Sequence, residues 1–447
     1  MSLYEQLTLR DAQRKRRKRI TLSILATLAA LVLVVAGYVV FIAVQANDNV
    51  MRSNALAGLS GVPKLTSDTN ILVMGLDSRV DEQGKPLSAA VYSALDAGDQ
   101  SVGGYNANVL MLVHIPANGQ KATAISIPRD DYVPISGIPG QTFDAKIKEA
   151  YGYGLAAEQT ALLAAGKPND DATYQQARDA GRKAELATVS AFLGSVHIDH
   201  FVEVTMAGFY EVAQSVAPIT VCLNRATQDT YSGADFTKGV QQIDAKQAMA
   251  FVRQRRDTTD PNYSFSDLDR ERRQQAFVVS VIHQLKQAGT FTDIPKMQSV
   301  LTAVSKNIVV DKDLNLIDLV QQAGAITGGN ISFTTLPITG FGTSPTGESI
   351  NTVDVAQVQA AVKDLLAPAK AIPAKTPTTT ATTPAKNPTT TATTPATAAA
   401  SGTGTGTGTG TAAKTTTTSG ATPAAKAPEV YSDWTGALQG GSVACVK

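Results

Sequence analysis

Two cysteines and four histidines are all this chain of 447 residues has of the side chains that most often bind transition metals. Cys222 and Cys445 lack metal-ligand spacing. Of the histidines (His114, His197, His200, His283), only His197 and His200 are close in sequence. In an extended segment, residues three apart point to opposite faces, so those two cannot share a metal ion. Net charge is equally scarce, at +1 with a pI near 7.7. That excludes a general nucleic-acid binder, and any phosphate recognition has to be local. One absence is local itself: no lysine occurs between Gln247 and Leu285. Yet 253-RQRRDTTDPNYSFSDLDRERRQQ-275, inside that interval, holds six arginines and five acidic residues. Such a stretch is either a salt-bridged helix surface or an array of planar forks for phosphate, which guanidinium binds bidentately and lysine cannot.

Charge is also missing from Ile20 to Asn47, directly after the basic run RKRRKR at 14–19. About 20 apolar residues cross a bilayer's hydrocarbon core, so this stretch predicts one transmembrane helix over 20–46. The positive-inside rule leaves 1–19 as a cytoplasmic basic tail and sends the rest outside. The expected location is therefore the cell membrane, single-pass, with an extracytoplasmic domain. A cleaved signal peptide is the rival reading, but its apolar region is usually shorter. Both cysteines fall on the outer side. An oxidising compartment permits Cys222 and Cys445 to pair, tying the C-terminus back to the core; two unrelated thiols are the other reading.

The apolar runs 70–78, 108–115 and 122–127 read as strands, the last two joined through a turn at Asn118-Gly119. Helical spacing dominates 155–195, and strand 199–205, helix 206–216 and strand 218–223 follow. Helices are expected over 244–252, from Ser266 to Gln287, over 313–324 and over 354–366, with a strand at 331–338. Ser266 and Asp269 fit a capping box. Interleaved strands and helices predict a single large α/β domain over 65–367, a central mixed β-sheet flanked by helices. Residues 368–428 reduce to Pro, Thr, Ala and Gly and read as a low-complexity linker. The final 429–447 regains aromatic and apolar residues, which suggests a docked segment.

Arg253 and Arg255, two apart at a helix exit, share a face if extended. Arg270 and Gln274 lie one turn apart at the start of a helix whose same face becomes apolar at Phe277 and Ile282, and a helix N-terminus favours an anion. Arg256, Arg272 and Arg273 fall on other faces and are expected to form ion pairs in water. Asp77 and Arg79 follow the first strand, Arg129 and Asp130 the third, and Lys146 lies in 144-DAKIKEAYGYG-154. Carboxylates beside arginines at strand exits suit metal-assisted phosphoryl transfer, though each cluster alone also fits a structural ion pair.

The order NILVMGLDSR, NVLMLVHIP, ATAISIPRDDYV, KIKEAYGYG, HFVEVTMAGFYEVAQSV, QIDAKQAMAFVRQRR and SDLDRERRQQAFV resembles the LytR–CpsA–Psr family over roughly residues 68–290. The resemblance implies an extracytoplasmic phosphotransferase, a ligase of cell-wall glycopolymer to peptidoglycan. It would move a glycan-1-phosphate from a polyprenyl-pyrophosphate carrier onto a peptidoglycan hydroxyl with Mg²⁺ or Mn²⁺. Partners are then the lipid-linked glycan, the peptidoglycan acceptor and membrane lipid, with no nucleic acid. Carried over, Asp77, Arg79, Arg129 and Asp130 are catalytic, and Lys146, Arg253, Arg255, Asp267, Arg270 and Gln274 form the pyrophosphate cradle. The polyprenyl tail is sought among Phe201, Val204, Phe209, Phe251, Phe277 and Ile282, which equally read as plain core. The family's Arg-x-Asp is replaced here by Asn106 and Asn108, so the metal set becomes Asp77 and Asn108, with one anionic ligand lost. That change favours the alternative of a polyprenyl-pyrophosphate-binding or scaffolding protein without turnover. The Ala/Thr-rich composition and the ending GGSVACVK look similar to actinobacterial members, which points to an arabinogalactan-type glycan ahead of teichoic acid or capsule.

Overall fold

The computed structural model describes residues 45, 47–57, 67–98, 104–260, 262–263, 265–287, 293–315, 330–367, 429–431, 433 and 435–447. The expected basic tail, nearly all of the expected transmembrane segment, the linker and most of the expected helix 313–324 lie outside these residues. No helix among the described residues is long and apolar enough to cross a membrane. In chain order the elements are β1 Met51–Ser53, β2 Thr69–Leu76, α1 Ala89–Leu95, β3 Ala107–Ile115, β4 Ala122–Ser126, β5 Tyr132–Pro134 and β6 Asp144–Lys146. Then come α2 Ala150–Ala164, α3 Asp171–Phe192, β7 His200–Thr205, α4 Met206–Val216, β8 Ile219–Leu223, β9 Thr227–Asp229, β10 Ala234–Phe236 and β11 Gly239–Ile243. The remainder is α5 Ala245–Arg253, α6 Asp267–Gln287, α7 Ile294–Lys306, β12 Val309–Asp311, β13 Ile331–Thr335, β14 Gly340–Thr343, β15 Ser349–Thr352, α8 Val355–Leu366, β16 Glu429–Val430, β17 Leu438–Gln439 and β18 Ala444–Val446.

Local chemistry sets the element ends. Gly119 takes a φ of 70° in the β3–β4 turn, a left-handed conformation that costs glycine little. At α6 the Ser266 N–H reaches Asp269 Oδ2 (2.7 Å) while Asp269 N–H returns to Ser266 Oγ (3.2 Å), the reciprocal box expected there. Asp244 and Gln247 do the same for α5.

The central sheet runs β1-β12-β7-β2-β3-β4-β13-β17 and is mixed. β2 pairs parallel with β7 and antiparallel with β3, and β4 pairs antiparallel with β3 and parallel with β13. The carboxyl ends of β2, β4, β7 and β13 therefore share one edge, the usual place for a ligand in an α/β sheet. Strand periodicity assigns the faces. Leu72, Leu112, Ile125 and Phe201 pack with Leu186, Val189 and Val358 of α3 and α8. Met111, Ala124 and Phe333 pack on the other face with Ala248, Phe251 and Ala276 of α5 and α6. A smaller sheet, β11-β8-β18-β16, takes in the last residues of the chain, and Cys222 and Cys445 are bonded there. The C-terminal segment is thus docked, in the same compact unit as the preceding domain.

Candidate active site

Arg129 emerges from β4 at the carboxyl edge and is almost fully buried. Its backbone is held from both sides: Lys148 N–H donates to Arg129 O (3.2 Å), Ile147 N–H to Asp131 O (2.8 Å) and Asn351 N–H to Asp130 O (2.8 Å). Nε and Nη2 of Arg129 both donate to the Asp267 carboxylate at 3.0 Å, a bidentate fork. Nη1 donates to Asn108 Oδ1 at 2.7 Å. Asp267 also accepts from Arg270 Nη2 (2.9 Å) and lies 3.6 Å from Arg255 Nε. One carboxylate is therefore the counterion of three guanidiniums. Behind it, burial drives the Glu271 carboxyl well above the usual range, with Asp267 adding to the shift. Burial does the same to Asp131, so neither offsets the cationic field. Burial pulls Arg270 down to about 10, aided by Arg129 and opposed by Asp267.

Asp130 sits beside this cluster, 2.6 Å from Lys148 Nζ and 3.5 Å from Arg129 Nε. Burial pushes its carboxyl up, but Arg129 and Lys148 outweigh that and hold it below the usual range. Asp77 and Arg79 lie past β2 on the same edge, where Asp77 N–H bonds Asn106 O at 3.0 Å. They are within electrostatic reach of Arg253, whose guanidinium is pulled down chiefly by burial and raised by Asp77. Arg79 Nε and Nη1 and Arg270 Nε are buried without an acceptor. Buried donors are nearly always paired, so these three N–H groups call for an anion. The metal set fits less well. Asn108 brings a neutral oxygen already engaged by Arg129, which leaves Asp77 as the single carboxylate of the expected pair. Among the described residues no group of three acidic, histidine or cysteine side chains is gathered for a metal ion. That falls short of a protein-built Mg²⁺ shell.

The LytR_cpsA_psr family model matches residues 39–367, the range that holds this arginine cluster at the carboxyl edge of the mixed sheet. The chain belongs to that family. The cell wall biosynthesis protein LcpA of Corynebacterium glutamicum is 35% identical over 356 residues, covering 78% of this chain and 66% of that protein. A Bacillus mycoides relative bears the name polyisoprenyl-teichoic acid–peptidoglycan teichoic acid transferase TagU. It is 29% identical over 234 residues, covering 52% of this chain and 63% of that protein. The chain thus spans just under two thirds of each. Protein gbs0355 from Streptococcus agalactiae is a similar solved structure, with a TM-score of 0.48 at 22% identity over 67% of this chain and 88% of that one.

Within this LytR_cpsA_psr fold, several expected residues stand elsewhere than the sequence suggested. Arg272 and Arg273 do not face water; both are buried. Arg272 donates to the carbonyls of Thr435 (3.1 Å) and Gly436 (2.5 Å). Arg273 donates to the Lys447 carbonyl (2.7 Å) and to Gln254 Oε1 (2.6 Å), and burial pulls it down to about 9. They hold the C-terminal segment, a partner too distant in sequence to be read from helix spacing. Arg256 is exposed as expected, over the Tyr231 ring. Gln274 gives its amide N–H to Val252 O (3.2 Å) and so ties α6 to α5. Lys146 pairs with Glu348 at 3.2 Å, and Lys148, which sequence reasoning passed over, is the lysine on Asp130. The alternation Lys146-Ile147-Lys148 about a buried isoleucine was the available signal.

The expected lipid-lining residues divide between faces. Phe201 is fully buried on the α3 side, so it cannot share a channel with Phe209, Phe251 and Phe277 on the other. β7 periodicity is the reason, since Phe201 and Val204 point to opposite faces. On the α4–α6 side, Val73 and Val113 in the middle of the sheet are only partly buried, as are Phe209, Tyr210, Val281 and Leu285, which pack against the same cluster. These partly open mid-sheet valines leave apolar surface between the sheet and the helices on this face.

Proposed function

We propose that this chain is a membrane-anchored extracytoplasmic phosphotransferase that moves a glycan-1-phosphate from a polyprenyl pyrophosphate to a hydroxyl of peptidoglycan. The observation that carries the reading is the arginine cluster with buried, acceptorless N–H groups on Arg79 and Arg270. Those donors and the forks now on Asp267 suit the non-bridging oxygens of a pyrophosphate, and the partly open apolar face of the sheet suits its lipid tail. The names of the relatives support a cell-wall substrate. The acceptor oxygen attacks the glycan-side phosphorus, the bond to the bridging oxygen breaks, and polyprenyl phosphate leaves. Arg129, Arg255 and Arg270 stabilise the charge that moves onto the phosphate oxygens, the main electrostatic task in phosphoryl transfer. The hydroxyl proton passes late to a carboxylate. Asp77 is the better acceptor, because Asp130 is committed to Lys148 and Arg129. Mg²⁺ or Mn²⁺ belongs to the proposal only as a cation brought by the pyrophosphate, with Asp77 the carboxylate that would meet it. An arabinogalactan-type glycan is the favoured cargo.

Replacing Arg129 or Arg270 by Ala should lower transfer of a lipid-linked glycan to peptidoglycan oligomers by at least about 10²-fold, the usual cost of one removed oxyanion donor. Running the assay in Mg²⁺ and in EDTA reads the cation's share, and comparing wall-bound sugars before and after depletion identifies the glycan. Wild-type rates in both variants would sink the assignment. The neutral Asn108 favours a second reading, lipid-pyrophosphate binding without turnover; tight donor binding by an inactive wild-type protein would establish it.

A further inference from the structure

One rim of the site differs in chemistry from the arginine cluster. Lys146 pairs through β5–β6 with Tyr132, and its ammonium is 3.2 Å from Glu348. Its N–H donates to Glu149 Oε2 at 3.3 Å. The next helix, α2, begins Ala150-Tyr151-Gly152-Tyr153. Two residues on a helix are about 200° apart, so when Tyr151 is buried Tyr153 must face outward. Tyr153 is 44% exposed and stands edge-to-face on Phe143, with ring centroids 4.9 Å apart. Its hydroxyl is pushed up by burial and then by the charges of Glu149 and Glu348, so both carboxylates lie close to it. Across the hairpin β14–β15, Phe341 is 68% exposed and directly opposite Asn351. Opposed residues share a hairpin face, and the Asn351 amide holds Asp131 while its N–H holds Asp130 O. Three aromatic rings are strongly exposed among the described residues, and Tyr231 carries the Arg256 guanidinium. The other two, Tyr153 and Phe341, both border this rim.

We infer that Tyr153, Phe143 and Phe341, with Glu149 and Glu348, form the binding shelf for the acceptor saccharide. The inference deepens the transferase reading and rests on it. An N-acetylated sugar offers an apolar C–H face for an aromatic ring, and hydroxyl and amide N–H groups for carboxylate oxygens. The charge pattern separates the two substrates. An anionic pyrophosphate is drawn to the guanidiniums, whereas at this rim Glu348 takes up the Lys146 ammonium and offers the anion no comparable pull. A neutral glycan, or one whose peptide carries an amine, needs no such pull. The shelf adjoins Asp130 and Lys148 through Lys146 and Asn351, which sets a stacked sugar beside the arginine cluster.

The test is Tyr153→Ala in the full chain, assayed with a lipid-linked donor and an uncross-linked peptidoglycan oligomer. The acceptor KM should rise about tenfold, the scale of losing one aromatic anchor, while the donor KM and kcat at saturating acceptor stay within about twofold. Tyr153→Trp should restore the acceptor KM, and Phe341→Ala should shift it in the same direction. An unchanged acceptor KM in both alanine variants, or a rise in donor KM in its place, overturns the proposal. Saturation-transfer NMR with the oligomer alone, without donor, separates this outcome from failure of the transferase reading. Contact to wild type that is lost in Tyr153→Ala supports the shelf even without turnover, and no contact to wild type refutes it.

Discussion

At Asp267 one carboxylate answers three guanidiniums, whereas at Glu82 a carboxyl is buried with one oxygen lacking a hydrogen bond and 3.8 Å from Arg178 Nη2. Glu82 Oε1 accepts the Thr205 N–H at 3.0 Å, and the Arg178 guanidinium is taken up by Glu203 and the Glu82 carbonyl. Burial, with Glu203 adding, raises the Glu82 carboxyl from 4.5 to about 7. The sign follows from proton counting. Between those values the unfolded chain has lost the proton that the folded chain keeps, so stability falls as pH rises through that window. The full term is about 3 kcal/mol. Glu82→Gln keeps the oxygen that receives Thr205 N–H and cannot ionise. Its melting temperature should fall less between pH 5 and pH 8 than that of wild type. Equal falls in the two proteins would remove Glu82 as the source. Asp130 acts oppositely: its depressed carboxyl contributes stability above the ordinary carboxylate range, lost as pH drops through the folded value.

Among the elements, α6 binds on two sides. Its first turn offers Asp267 and Arg270 to the site, while Asp269, Arg272 and Arg273 fasten the C-terminal residues; Lys447 Nζ lies 3.1 Å from Asp269. β18 lies between β8 and β16, parallel to both. The disulfide closes this arrangement over a sequence separation of 223 residues. By loop-closure entropy such a bond contributes roughly 5 kcal/mol. Cys445→Ser should therefore unfold at clearly lower denaturant concentration than wild type, and reductant should affect wild type alone; equal midpoints would show that the arginine contacts suffice. Much of this layer was legible in the sequence. Apolar runs marked β2, β3 and β4, Asn118-Gly119 marked their turn, and Ser266 with Asp269 marked the start of α6, because each signal is local. Family resemblance put Arg129 and Asp267 in one site, but their bidentate pairing appeared only in the structure. The burial of Arg272 and Arg273 was not legible, since the C-terminal carbonyls they hold lie over 160 residues away in sequence and helix spacing says nothing of a strand added from the C-terminus. Phe201 was misplaced for a related reason: alternation fixes which residues share a face, and only the sheet order fixes which helices cover it.

At the scale of the molecule, two helical layers cover the central sheet unequally. The α3 side is closed by apolar contacts and by Glu203 paired with Arg178 and Arg182. On the other side Val73 and Val113 remain partly open beneath α4 and α6, and the Phe209 and Phe277 rings meet at a tilt with centroids 5.0 Å apart. An interior at native density would bury both valines fully, and under the proposed function this partly open face is the bed for the polyprenyl chain. Val113→Trp tests this, because packing and ligand binding give different readings. In a filled core the larger ring would overpack and cost about 1–3 kcal/mol of stability. In an open crevice it should fit with little loss and occupy the space of several methylenes, each worth about 0.8 kcal/mol to a buried chain. The expected outcome is a nearly unchanged melting temperature and a weaker affinity for a long polyprenyl-pyrophosphate donor. A water-soluble sugar pyrophosphate, which needs only the arginines, should bind as before. Equal weakening for both ligands would put the tail elsewhere and leave the partial exposure of Val113 without a ligand to explain it.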